Sequence, residues 1–147
     1  MSRDLSEHIR LMEQSVPFNR HLGFKVLELK KGYVKTLVPY RPDFIGDPRR
    51  PALHGGFLAA VVDACGGLAV WTHFDTEDLI STVDMRVDYL RPGPERDIVA
   101  ESNVVRTGNR VSVVNTIIYT ADDPRQVLVE GRAVYNTRRQ NRTDNLP

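Results

Sequence analysis

At 147 residues, with 41% hydrophobic and 27% charged side chains, the chain has the make-up of one globular domain rather than of a disordered polymer. Twenty Lys and Arg against nineteen Asp and Glu leave a formal charge of +1, which excludes a surface built to neutralise many phosphates of a nucleic acid. The single cysteine, Cys65, allows no intrachain disulfide, the N-terminus shows no apolar signal core, and the longest apolar stretch, Phe57 to Trp71, is short for a membrane span, so a cytoplasmic protein without membrane contact is expected.

In chain order, Ser2 to Ser15 places Leu5, Ile9 and Met12 at helical spacing, which predicts a short amphipathic helix stopped by Pro17. Two strand-like runs follow, Gly23–Leu29 and Tyr33–Val38, with Lys30-Lys31-Gly32 as a hairpin turn. A loop rich in proline and glycine spans Pro42 to Gly56. From about Gly55 to His73 the chain is rich in Ala, Leu and Val without proline, apolar nearly all round, and predicts a buried helix. Four strands are expected after it: Ser81–Leu90, Asp97–Arg106, Val111–Thr120 and Gln126–Asn136. Their separators are Arg91-Pro92-Gly93-Pro94, Thr107-Gly108-Asn109 and Asp122-Asp123-Pro124. Consecutive strands with short turns make an antiparallel sheet, and one apolar helix is covered if that sheet curls. The fold class is therefore α+β: an N-terminal helical segment (1–20), a domain (21–138) and a polar tail (139–147) that frays from about Thr137.

Most of the chemistry lies in Leu53-His54-Gly55-Gly56-Phe57-Leu58-Ala59-Ala60-Val61-Val62-Asp63-Ala64-Cys65-Gly66-Gly67. Glycines cost a helix interior about 1 kcal/mol each. Two of them at a helix start suit close approach of a ligand, and the free N–H groups of the first turn suit a developing oxyanion. A glycine-rich turn with no ligand has the same pattern. Asp63 is the only charged residue between His54 and Asp75, in a run expected to be buried. A carboxylate there is costly unless paired, and such costs are tolerated where the group does chemistry. Otherwise it is held by a backbone group or a strand threonine. His54 and Asp63 are nine residues apart, about 13 Å along one helix and half a turn out of phase. They cannot serve one reacting group from one chain, so a shared role needs a second subunit. Gly56, Ala60, Asp63 and Gly67, at i, i+4, i+7 and i+11, form a face that a second element can approach closely.

With Leu53-His54-Gly55-Gly56, Asp63 seven residues after the second glycine, and Thr82-Val83-Asp84-Met85-Arg86-Val87-Asp88-Tyr89-Leu90-Arg91-Pro92, the chain resembles the hotdog-fold acyl-CoA thioesterases of the phenylacetic-acid-degradation type. The resemblance runs from about Val16 to Arg138. It implies a long helix wrapped by a curved antiparallel sheet, in dimers or dimers of dimers with sites at the interface. It also implies hydrolysis of an acyl-CoA to a free acid and CoA, CoA being part of the substrate and no cofactor being needed. Gly55 would polarise the thioester carbonyl, His54 would hold the loop, and Asp63 of the neighbouring subunit would be nucleophile or general base. Thr82 would orient the water or the carboxylate, with Ser81 next in register. Where many relatives carry an Asn in the loop, this chain has Asp47, which either pairs with Arg49 or Arg50 or marks a different substrate. Arg91, Arg106, Asn109 and Arg110 stand at strand ends where the family contacts CoA phosphates, and guanidinium forks match phosphate oxygens. A solvated surface arginine is the alternative for each.

No His, Cys, Asp or Glu spacing typical of zinc occurs, so no metal is expected. Ser112 lies in no Gly-x-Ser-x-Gly setting. A non-catalytic acyl-CoA sensor and a hotdog hydratase or dehydratase are the competing functions.

Overall fold

The computed structural model describes residues 3–140. The first helical segment is α1 (Ser6–Arg10), continued by a π turn over Leu11–Ser15. Pro17 ends that run but also opens a second helix, α2 (Pro17–Leu22). Proline has no N–H to lose at a first helical position, and its fixed φ fits there. Gly23, at φ 72, caps α2 in the left-handed region, so the first strand starts at Lys25 and not at Gly23.

Strands β1 (Lys25–Lys30) and β2 (Tyr33–Val38) form the expected hairpin, turning at Lys31-Gly32 with Gly32 at φ 78. The apolar run becomes α3 (Gly55–Trp71). Four strands complete the chain: β3 (Leu79–Tyr89), β4 (Ile98–Thr107), β5 (Val111–Thr120) and β6 (Asp123–Arg138). Pro124 lies inside β6 rather than in the turn before it, near its start, where the register against β5 shifts. Thr137 and Arg138 belong to β6 as well. The tail from 141 onward lies outside the described residues.

All six strands pair antiparallel in the order β1-β2-β4-β5-β6-β3. This is the hotdog arrangement, a curved sheet with one long helix against it. α3 packs on β2, β3, β4, β5 and β6. Its buried face is Leu58, Val61, Val62, Cys65, Leu68 and Ala69, all at 2% exposure or less. Burying each leucine or valine among them contributes about 1.5–3 kcal/mol. Two glycines set the spacing between layers. A Cβ on Gly131 of β6 would lie 2.6 Å from Val62 Cγ1, and one on Gly66 would lie 2.6 Å from the Tyr135 hydroxyl. The far end of the helix is tied to the β1–β2 turn, where Gly32 N–H donates to Thr72 Oγ1 at 2.8 Å.

The helix is not buried all round. Ala60, Asp63, Ala64, Gly67 and Trp71 form a half-buried stripe that the sheet leaves uncovered. The N-terminal helices lie over its Trp71 end, where buried His8 meets Trp71 edge-on (centroids 5.0 Å apart) and bonds Phe74 O.

Candidate active site

The loop before α3 is built to present His54. Phe44 stacks on Phe57 with centroids 4.0 Å apart, Gly46 N–H donates to Ala52 O, and Leu53 N–H donates to Gly93 O. His54 N–H donates to Phe44 O at 2.7 Å. His54 then caps α3 with its Nδ1, which accepts the Gly56 N–H at 2.8 Å. An accepting Nδ1 means a neutral ring with its proton on Nε2. With the Gly56 donor taken, no described group accepts the Gly55 N–H, which opens the positive end of the helix. Tyr89 closes on this corner from β3: its hydroxyl donates to Gly55 O at 2.7 Å, and its ring would sit 3.3 Å from a Cβ on Gly55.

Asp63 lies two turns further along, on the uncovered stripe. Thr82 Oγ1 donates to Asp63 Oδ1 at 2.6 Å. Thr82 sits at the β3 bulge, where the register with β6 shifts between Thr82 and Asp84. Such a shift re-aims a side chain, here toward the helix. Ser81, the neighbouring candidate, bonds no atom of Asp63 among the described residues. Asp63 Oδ2 accepts from no described group, and the residue lines a cleft of about 550 Å³. The carboxylate is thus half-buried and held at one oxygen, not sunk in the core as the sequence implied.

Tyr135 was not singled out from the sequence. Its hydroxyl donates to the Asp63 backbone carbonyl at 2.8 Å, and burial, with the Asp63 charge next, pushes its phenol far above the ordinary range. It therefore remains a neutral donor. The mid-helix pair Gly66-Gly67 was the available signal, since Gly66 makes room for that hydroxyl. Tyr89 carries the same lesson at Gly55.

The other candidates are spread out. Asp47 is spent within its own loop: its Oδ1 accepts from Arg49 N at 2.9 Å and Arg49 Nε at 3.1 Å. The Arg49 guanidinium holds its carboxyl below the usual range. Arg91 lies just past β3, near the Gly55 end, with Nη1 donating to Val127 O. Arg106 is exposed at the end of β4; Asn109 and Arg110 form the β4–β5 turn, whose carbonyls accept from Thr137. Thr137 pairs with Ile80 at the start of β3, so this trio stands at the end of α3 opposite Gly55. The 17 residues of α3 span about 25 Å, so one chain does not bring the expected phosphate contacts together.

Residues 51–127, which hold His54, Gly55, Asp63 and Thr82, match the thioesterase superfamily. The chain belongs to that superfamily. Within it, the chain is 32% identical over 120 residues to the medium/long-chain acyl-CoA thioesterase YigI of Escherichia coli (strain K12), covering 73% of this chain and 77% of that protein. It is 33% identical over 103 residues to a putative esterase of Saccharolobus solfataricus, covering 70% and 71%. A solved structure from Shewanella oneidensis, related to the thioesterase superfamily, is 30% identical with a TM-score of 0.80 over 90% of this chain and 94% of that one. A thioesterase family protein from Silicibacter pomeroyi, 21% identical, shares the fold at a TM-score of 0.85 over 93% and 100%. No helix among the described residues is long and apolar enough to cross a membrane.

Proposed function

We propose that this thioesterase-superfamily chain hydrolyses acyl-CoA to a free carboxylic acid and CoA in a site that two copies build together. The observation that carries this reading is the Thr82–Asp63 hydrogen bond, which leaves Asp63 Oδ2 open on a cleft. The likeness to an acyl-CoA thioesterase over most of both chains supports the substrate, and the His-Gly-Gly…Asp spacing supports a place near the phenylacetic-acid type.

Gly55 N–H donates to the thioester carbonyl oxygen at the positive end of α3. Asp63 of the partner subunit takes a proton from a water as that water adds to the carbonyl carbon. The tetrahedral oxyanion is held by the Gly55 N–H; its collapse breaks the C–S bond, and the proton held by Asp63 passes to the departing thiolate, which leaves as CoA and restores the carboxylate. Two copies are required because Gly55 and Asp63 of one chain stand about 12 Å apart along their helix.

The pairing surface is β3. It is an 11-residue edge strand, with Leu79, Val83 and Tyr89 more than half exposed. Such an edge is a template for another strand. Antiparallel β3–β3 pairing sets the start of one strand beside the end of the other. Arg106, Asn109 and Arg110 of one copy then come to the end where its partner holds Gly55 and Arg91, and the phosphate contacts that one chain separates are gathered at one site.

The test is free-thiol release from a panel of acyl-CoAs by the native chain and Asp63→Asn. The rate is expected to fall by about 10²–10⁴ in the variant, the contribution of a positioned base. Ligand binding without turnover would make the chain a sensor instead, and equal turnover in both proteins would remove Asp63 from the mechanism.

A further inference from the structure

The cleft beside Asp63 runs along α3 as far as Trp71, where Thr76, Glu77 and Asp78 also line it. Its floor on α3 is made of small residues, Ala60, Ala64 and Gly67, and the first large side chain beyond them is Trp71. Trp71 is fixed in place: its Nε1 donates to Asp75 O at 3.0 Å, and its ring meets buried His8 at 67°. The opposite wall is the start of β3, from Thr82 back through Ile80 to Leu79. Met12, Val16 and Phe18 of the N-terminal segment form the roof, with Met12 pinned by Asn19 Nδ2 on its carbonyl at 3.1 Å.

The two walls are similar in length. From Asp63 to Trp71 the helix advances about 12 Å. From Thr82 to Leu79 the strand advances about 10 Å. A carbon chain with bonds of about 1.5 Å advances about 1.25 Å per carbon in its zigzag, so the groove matches roughly eight to ten carbons. A phenylacetyl-sized group, about 6 Å long, would end near Gly67 and leave the stretch from there to Trp71 to water.

We infer that this groove takes a straight aliphatic acyl chain, and that Trp71 is the specificity-determining residue that limits its length to about eight to ten carbons. The inference rests on the reading of Asp63 as the catalytic group, since that fixes where the acyl chain starts. Each methylene laid along the groove raises kcat/KM by up to about fourfold until the chain meets the indole. Beyond that point the chain must bend out past Phe18, which is 56% exposed, and the gain stops.

The experiment is a kcat/KM profile over saturated acyl-CoAs from four to sixteen carbons for the native protein, Trp71→Ala and Ala64→Leu, each checked for folding by circular dichroism. The native peak is expected near eight to ten carbons, moved longer by at least about two carbons in Trp71→Ala and shorter in Ala64→Leu. Trp71→Phe keeps a ring against His8 while shortening the wall, and moves the peak the same way by less. A peak that stays in place in the folded Trp71 variants overturns the length limit, whatever Ala64→Leu does. That failure is distinct from failure of the hydrolase reading, in which the native chain releases thiol from no acyl-CoA at all.

Discussion

Among the described residues Asp63 has one oxygen held and one without a donor, and Thr82 is what makes the difference. A hydrogen bond to an ionised group contributes about 1.5–3 kcal/mol, and here it fixes which oxygen turns to the cleft. Removing the hydroxyl leaves a carboxylate of the same charge with freedom to rotate. Thr82→Ala is therefore expected to lower kcat by about 10- to 100-fold with little change in KM, and Thr82→Ser to recover most of the loss, as read by thiol release. An alanine variant with native kcat would make the bond merely structural. Tyr135 works from the other side of the same residue, holding its main chain through the Asp63 carbonyl while Gly66 gives the hydroxyl room.

At the scale of elements, the distance between α3 and the sheet is set by what is missing from Gly131. A methyl there would stand 2.6 Å from Val62 Cγ1 and 3.2 Å from Cγ2. Val62 is fully buried, and a β-branched side chain in a helix has essentially one rotamer, so the helix itself must shift. Gly131→Ala is expected to destabilise the fold by about 1–3 kcal/mol, seen as a lower urea midpoint at unchanged slope. The elements themselves were legible because their signals are local: an unbroken apolar run for α3, and turn residues at regular spacing for β3 to β6. Pro17 ends the first helical run as expected, but the second helix went unread because a proline also suits the first position of the next helix. The edge position of β3 was not legible, since strand order depends on pairings such as Thr82 with Tyr135 that join distant parts of the chain. For the same reason Tyr135, 72 residues from Asp63, escaped notice although the Gly66-Gly67 pair pointed to a large neighbour. Asp63 itself stood out as a charge in an apolar helix. Its exposure to a cleft did not, because periodicity alone does not show that one stripe of α3 lacks a strand to cover it.

At the scale of the molecule, one chain carries the Gly55 N–H and the Asp63 carboxylate on the same helix, about 12 Å apart, and a long edge strand along which two copies can pair. These features make one account if each site draws Gly55 from one subunit and Asp63 from the other. Gly55→Pro deletes the N–H without breaking the helix start: proline is accepted at a first helical position, and His54, at φ −63 and ψ 131, already has the extended backbone that precedes proline. Its ring carbons press on Tyr89, which a Cβ would meet at 3.3 Å, so Gly55→Ala, which adds the Cβ and keeps the N–H, is the control. The decisive measurement is acyl-CoA hydrolysis by Gly55→Pro and Asp63→Asn chains expressed together, compared with each alone. Each variant alone is expected to be nearly inactive. Random pairing makes half of the dimers mixed, each with one intact site of two, so the mixture is expected to recover about a quarter of native activity. A mixture no more active than either variant would contradict a site shared between subunits.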